Sequence, residues 1–433
     1  MKRVLILGGG YVGMYTALHL ERLLRRRSAH RIAIVNPENF MQYQPFLPEV
    51  ASGLIDPRAV VVPLRRVLRR TDLIVGEATR VDHGARVAYV RGASGVLTEE
   101  PYDVLVLGAG SRARVLPIPG LAEHAVGFKT VAEAIYLRNR VLSQLDVADE
   151  LRDPEARRAA LSFVFVGAGF AGIEALGELE DLARAASAVY RRIGPQDLRW
   201  VMVEAGPRIL PELDERLAAY AAGRLRERGV QIRTGTTVLA VEPGSVRLSP
   251  GEAVSAATVV WAAGVRASPL GEESGLPVDD RGRVRVDGML RIVGLPDAWA
   301  AGDAAAVPDE NAPGGISPPT AQHALRQAKR LAANVAASLS GGELRPFRYR
   351  NKGMLCSLGH YKGVADPFGV RIRGFPAWFL HRSYHLLYMP TLGRKVRIAL
   401  DWTVALVFPR DLAQLGSLER PRDAFRHAAE GDP

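Results

Sequence analysis

Cysteine is nearly absent: one thiol, Cys356, stands in 433 residues. No disulfide can form within the chain and no Cys-x-x-Cys pair exists, which excludes a dithiol relay. Nor does any stretch reach the ~20 apolar residues that a transmembrane helix needs. Acidic residues are the minority, 46 against 57 basic, for a formal net charge of +11. A basic balance suits nucleic acid, an anionic membrane surface or anionic ligands. The arginines are scattered, however, and no nucleic-acid module is recognisable, so nucleic acid is not an expected partner. Met1-Lys2-Arg3 and Val4–Leu7 open like a signal peptide, but Gly8, Gly9 and Gly10 interrupt the apolar run too early. A cytoplasmic location is expected. Length alone calls for two or three domains.

What is present in abundance is glycine at the ends of short apolar runs. Val4–Leu7 is too short for a helix, 12–24 has helical spacing, and Ile32–Val35 is apolar again. Such alternation implies a parallel sheet. Between the first strand and the helix lies Gly8-Gly9-Gly10-Tyr11-Val12-Gly13. In a Gly-x-Gly-x-x-Gly turn the first glycine permits the tight turn. The second lets the backbone approach a pyrophosphate over the helix N-terminus, and the third lets helix and strand pack closely. The next strand ends in Asn36 where an acid is usual. Its amide oxygen can still accept from an adenosine ribose.

The pattern restarts with Ser162–Val166, the turn Gly167-Ala168-Gly169-Phe170-Ala171-Gly172, a helix over 173–190 and a strand over 200–203. This strand ends in Glu204, whose carboxylate suits two ribose hydroxyls and repels a 2′-phosphate. NADH is therefore preferred over NADPH. Arg208 nearby could accommodate a phosphate, and a solvated strand-end acid is the alternative reading of Glu204. Glu174, early in the second helix, either gains from the helix dipole or faces a nicotinamide; spacing leaves both open.

Val104–Leu107 with Gly108-Ala109-Gly110-Ser111, Val259–Ala262 before Gly264, and Trp299-Ala300-Ala301-Gly302-Asp303 complete the pattern. Together these motifs resemble the flavoproteins with two dinucleotide-binding domains. Over nearly its whole length the chain resembles the type II NADH:quinone oxidoreductases, or alternative NADH dehydrogenases. The resemblance implies that the first unit binds FAD through Gly8, Gly10, Tyr11, Val12, Gly13, Asn36, Pro45, Gly110, Asp303 and Ala321. It implies that the second binds NADH through Gly167, Gly169, Gly172, Glu204 and Gly264. Asp303 matches the aspartate that holds the flavin's ribityl chain, and Tyr43-Gln44-Pro45 the loop along the flavin ring. Glu174 matches a glutamate near nicotinamide and flavin, and Ala321-Gln322-His323-Ala324 the stretch at the quinone site. Glu174 and Gln322 are thus the implied catalytic residues. The family's second glutamine falls at Arg326, with Gln327 after it, so the acceptor is less defined than the donor.

The implied activity is a non-proton-pumping, ping-pong transfer from NADH to FAD and on to a quinone. Sulfide:quinone reductases, which are related, depend on cysteines and are excluded by the lone Cys356, expected to be a small core residue. A soluble NAD(P)H oxidoreductase using oxygen, ferredoxin or a small acceptor remains an alternative, as does an NADH-binding redox sensor. By pattern alone, Gln322, His323 and Gln327 read as the polar face of a helix over 319–338. His323 has no partners at metal-ligand spacing, and no metal is expected.

Beyond Gly341 the composition shifts. Phe375 to Tyr388 and Val396 to Phe408 are helical, aromatic and flanked by Arg394, Lys395, Arg397 and Arg410. Such faces suit a helix in the membrane interface, with Trp and Arg at headgroup level; a dimer interface or core extension is the alternative. The expected architecture is α/β. Two Rossmann-like domains are foreseen, an FAD domain over 1–125 and 265–340 with an NADH domain over 126–264 inserted in it. A membrane-associating and dimerising segment over 341–433 follows. The protein is expected as a peripheral homodimer on the cytoplasmic side of an anionic membrane.

Overall fold

A computed structural model describes residues 2–25, 30–311, 315–414, 422 and 426. The chain divides into two compact units. The first comprises 1–43, 61–114 and 264–352; the second comprises 44–60, 115–263 and 353–433.

The elements that matter here follow in chain order. They are β1 (Lys2–Leu7), α1 (Tyr11–Leu23), β2 (His30–Asn36), β3 (Thr71–Asp82), β4 (Val87–Gly92), β5 (Leu97–Pro101) and β6 (Val104–Leu107). Next come β7 (Ala125–Gly127), α2 (Val131–Glu150), β8 (Ser162–Val166), α3 (Phe170–Ser187), β9 (Arg199–Val203), β10 (Val230–Arg233) and β11 (Thr258–Trp261). Last are β12 (Ala298–Ala300), α4 (Ala321–Ser338), α5 (Phe375–Tyr388) and α6 (Leu392–Val407).

In the first unit the sheet order is β12-β6-β1-β2-β3-β4-β5. The five strands from β12 to β3 are parallel, and β3, β4 and β5 continue as an antiparallel edge. Val4–Leu7 and Val104–Leu107 are wholly buried, as continuous apolar runs in a sheet covered on both faces must be. α1 packs along α4 on one face. The chain leaves β1 toward β2 on one side and returns as β6 on the other. This makes the carboxyl end of β1 the switch point where α/β sheets bind ligands.

The second unit repeats the plan with the all-parallel order β7-β11-β8-β9-β10. Its core stacks Phe163 on Trp200, ring centroids 4.5 Å apart. β8 again sits at the switch point. Residues 353–433 belong to this unit. Their small antiparallel sheet, Leu355–Ser357, Gly363–Ala365 and Ile372–Arg373, packs beside α5. Gly177 lets α3 come close to the turn after the first of these strands: a Cβ there would lie 2.7 Å from the backbone of Leu358. No helix among the described residues is long and apolar enough to cross a membrane.

Candidate functional site

The two glycine turns have the same backbone. Gly8 has φ +102° and Gly167 φ +100°, values that a side chain rarely tolerates. Each donates its N–H at 2.8 Å to the end of the neighbouring strand, Val35 in one unit and Val203 in the other. A Cβ at Gly13 would lie 1.7 Å from the Gly8 carbonyl oxygen, and one at Gly172 2.0 Å from that of Gly167. The middle glycines differ: beside Gly10 and Gly169 nothing lies within 4 Å. These two residues are the N-caps of α1 and α3, and neither helix start carries a side-chain cap. Both turns thus offer an open approach to a helix N-terminus, the geometry a pyrophosphate takes.

Around the first turn, Val12 is buried and packs where Gly302, at φ +71°, leaves room for it. Gly302 donates to the side-chain oxygen of Gln327 at 2.7 Å. Next to it, Asp303 accepts from the Ser111 hydroxyl at 2.7 Å, and Gly110 (φ +66°) accepts from the Ser268 N–H at 3.0 Å. Tyr11 and Tyr43 are neighbours, centroids 6.0 Å apart. Asn36 makes three bonds to main-chain groups around the turn. Its Oδ1 accepts from the Gly9 N–H at 2.7 Å, while Nδ2 donates to the carbonyls of Glu38 and Phe40. Most of the side chain's capacity therefore orders the loop. Gly264, at φ +92°, falls in this unit, and Pro45, in the short turn Gln44–Phe46, falls in the other.

Around the second turn, Glu204 takes the place of Asn36. Its Oε2 accepts from the Ala168 N–H at 2.7 Å and its Oε1 from the Gly206 N–H at 2.8 Å. A carboxylate has about four acceptor sites, so two backbone donors leave capacity for ribose hydroxyls. Arg208 donates to the carbonyls of Leu210, Pro211 and Leu213.

Glu174 is buried, and its Oε1 meets the Ser357 N–H and His381 Nε2, each at 3.0 Å. One turn along α3, Glu178 is fully buried and accepts from the Ser52 hydroxyl at 3.1 Å. Burial, reinforced by the nearby Glu49 carboxylate, pushes Glu178 up to about 7. Glu49 accepts from the indole of Trp402 at 2.6 Å and pairs with Arg382 at 3.2 Å. Burial, with His381 beside it, holds His385 well below the usual imidazole value. Sequence reading singled out Glu174 alone from this set. The other members come from distant segments around residues 49–52, 357, 381–385 and 402, and the one available signal was the spacing of four that Glu174/Glu178 and His381/His385 share.

The C-terminal helices correct an expectation. Trp378 is buried, and Arg382 lies over both Trp378 and Trp402, 4.2 and 4.9 Å from the ring centroids. Trp378 and Arg382 are thus buried rather than outward-facing, and Trp402 is half-buried. The outer face of α6 is aliphatic instead: Leu392, Val396, Leu400 and Val404 recur every four residues and are 50–77% exposed.

At the start of α4, Thr320 caps the helix ahead of Ala321. His323 and Gln327 are buried, 5% and 1% exposed, so this is no solvated polar face. The Tyr349 hydroxyl donates to Gln322 Oε1 at 2.9 Å, and the Arg326 guanidinium lies 4.5 Å from the Tyr349 ring centroid. His323 has Nδ1 2.7 Å from Thr320 Oγ1 and Nε2 3.7 Å from Asp309; burial lowers its pKa although Asp309 opposes this. No cluster of three potential metal ligands occurs among the described residues. Cys356 is buried, and burial raises its thiol well above the usual value.

Known proteins share both sequence and fold with this chain. Residues 2–328 match the pyridine nucleotide-disulphide oxidoreductase family. The type II NADH:quinone oxidoreductase Ndh of Mycobacterium tuberculosis is 33% identical over 428 residues, covering 94% of this chain and 89% of that one. That of Staphylococcus epidermidis is 33% identical over 388 residues, covering 88% and 93%. In fold, NDH2 from Plasmodium falciparum in complex with NADH superposes with a TM-score of 0.86 at 17% identity, covering 95% and 99%. The sulfide:quinone oxidoreductase of Aquifex aeolicus reaches 0.71 at 18% identity, covering 95% and 96%. The chain belongs to the type II NADH:quinone oxidoreductases, a family of enzymes, within the pyridine nucleotide-disulphide oxidoreductases.

Proposed function

We propose that this enzyme takes hydride from NADH and delivers two electrons to a quinone, with FAD as resident carrier and without pumping protons. The observation that carries this is the pair of turns with one backbone and two different polar partners, Asn36 at the first and Glu204 at the second. The first turn fits FAD. Its open Gly10 and uncapped helix receive a pyrophosphate, and Asp303, oriented by Ser111, accepts from a polyol hydroxyl. Gly8, Tyr11, Val12, Gly13, Asn36, Pro45, Gly110 and Ala321 complete the set. When bound, FAD supplies the two-electron chemistry that joins donor to acceptor.

Gly167, Gly169 and Gly172 present the second turn to NADH. Glu204 accepts from the ribose hydroxyls and, with Arg208 committed elsewhere, disfavours a 2′-phosphate. Glu174, held by His381 and the Ser357 amide, serves the nicotinamide. Gln322 meets the acceptor head group. NADH, one proton and quinone give NAD⁺ and quinol, so one proton enters per turnover. Cys356, buried and alone, takes no part. The aliphatic stripe of α6, with Arg394, Lys395 and Arg397 beside it, lies on an anionic membrane at its cytoplasmic side, and the enzyme works there as a homodimer.

Stopped-flow reduction of the yellow protein by NADH, followed by reoxidation with quinone, oxygen or ferredoxin, tests the assignment. Quinone is expected to be fastest; reoxidation no faster with quinone than with the others would overturn it. Sedimentation with anionic and zwitterionic vesicles tests the surface, with preference for the anionic expected. Sedimentation velocity tests the dimer, which a monomer in detergent and in vesicles alike would refute.

A further inference from the structure

Three residues of the first turns of α4, Gln322, His323 and Arg326, converge on a side chain from outside the helix, Tyr349. Its ring is held on two sides. The Arg326 guanidinium lies on its face, 4.5 Å from the centroid, and the His323 ring meets it edge-on at 5.0 Å and 89°. His323 is in turn fixed by Thr320 at 2.7 Å, with Asp309 3.7 Å away on its other nitrogen. The Tyr349 carbonyl accepts from the Asn311 side chain at 3.3 Å. Tyr349 is 8% exposed, so its hydroxyl is aimed by packing. It donates to Gln322 Oε1 at 2.9 Å.

A carboxamide has one accepting end and one donating end. An acceptor carbonyl that gains electrons needs a donor, and a turned amide would present lone pairs to a growing negative charge. A hydroxyl on Oε1 selects the useful orientation by directing the NH2 end away from Tyr349. A cation over the phenol ring polarises the O–H and strengthens its donation. Arg326 also donates to the Gln322 carbonyl at 2.9 Å, which ties the cation to the same turn.

We infer that Tyr349 is a positioning residue for acceptor reduction, clamped by Arg326 and His323 so that it fixes the amide orientation of Gln322. Its role presupposes that Gln322 meets a quinone, as proposed above. Arg326 thereby acts through Tyr349 at the position where the family pattern has a second glutamine.

The test uses the full-length flavoprotein and three variants: Gln322→Ala, Tyr349→Phe and the two combined. Two quantities are read for each. One is the rate of reoxidation by a soluble quinone; the other is the affinity for a redox-inert quinone analogue, followed by tryptophan fluorescence. Tyr349→Phe is expected to lower both by about three- to tenfold, the worth of one neutral hydrogen bond, and to leave the NADH-reduction phase in place. The double variant is expected to be no worse than Gln322→Ala, because Tyr349 acts only through that amide. Arg326→Met, which keeps the hydroxyl and removes the charge, is expected to give a smaller loss in the same half-reaction. An effect of Tyr349→Phe that multiplies that of Gln322→Ala would overturn the inference, as would an impaired Gln322→Ala beside an unaffected Tyr349→Phe. If Gln322→Ala itself changes neither quantity, the acceptor role of Gln322 falls, and that of Tyr349 with it.

Discussion

The turns at Gly8 and Gly167 share φ values within 2° and the same strand-end hydrogen bonds, yet their polar partners differ in kind. Asn36 has an amide. It accepts from one backbone N–H and donates to two carbonyls of its own loop. Glu204 has a carboxylate, which accepts from two backbone N–H groups and donates nothing. The first arrangement ties the loop to itself through donors and an acceptor; the second is built from acceptors alone. If the two turns hold FAD and NADH as proposed, the chemistry at the strand end is what separates them.

The largest effect should come from breaking the shared backbone. Gly13→Val and Gly172→Val place atoms inside a carbonyl's contact distance and should destabilise their units by more than about 4 kcal/mol. If Gly172→Val still folds, it should stay yellow and lose reduction by NADH, whereas Gly13→Val should lose the flavin; flavin content and bleaching by NADH separate the two. Loss of both properties in both variants would erase the distinction between the turns. Next in size, Glu204→Arg should shift the NADH-to-NADPH ratio of kcat/KM by about 100-fold, ~2.7 kcal/mol. Steady-state kinetics with both donors checks this, and an unchanged ratio counts against the second turn as the NADH site.

Asn36→Asp gives the first turn the chemistry of the second. The Gly9 N–H keeps an acceptor, but the carbonyls of Glu38 and Phe40 lose their donor. A destabilisation of about 1–3 kcal/mol with flavin retained is the expected result in urea unfolding. Increased stability would show that the amide is not needed there. The smallest effect is a slope. Glu178 is pushed from 4.5 up to about 7 in the fold, so the folded state binds the proton more tightly than the unfolded chain. The stability from neutral Glu178 is complete below about 4.5 and is lost as pH rises through about 7. Glu178→Gln should flatten the fall in unfolding free energy over that interval; a slope equal to the parent's would show that Glu178 ionises freely.

Much of this was legible in the chain because it is local. Val104–Leu107 and Ser162–Val166 are strands with the boundaries that their apolar runs suggest, and Phe375–Tyr388 is a helix from end to end. The antiparallel edge strands over 71–101 and the helix Val131–Glu150 had no such signal. Their apolar residues are interrupted; neighbouring elements complete the burial of Val81, Ala88 and Val90, while Leu97–Pro101 stays largely exposed. Cys356 met its expectation of a small core residue. Trp378 and Arg382 are buried, because an aromatic and basic helix can satisfy either face. Here Glu49, from a distant segment, holds both Arg382 and the half-buried Trp402.

Residue order alone fixed the two glycine turns, the strands that feed them and the lack of any cysteine pair. Those depend on φ angles, short-range periodicity and residue counts, which neighbours in the chain carry. Tertiary structure decided the rest. It tied Asn36 to its own loop, turned Arg208 onto nearby carbonyls and brought His381 to Glu174 and Tyr349 to Gln322. Each of these is a hydrogen bond or ion pair whose direction depends on a partner's placement, and spacing along the chain does not encode direction.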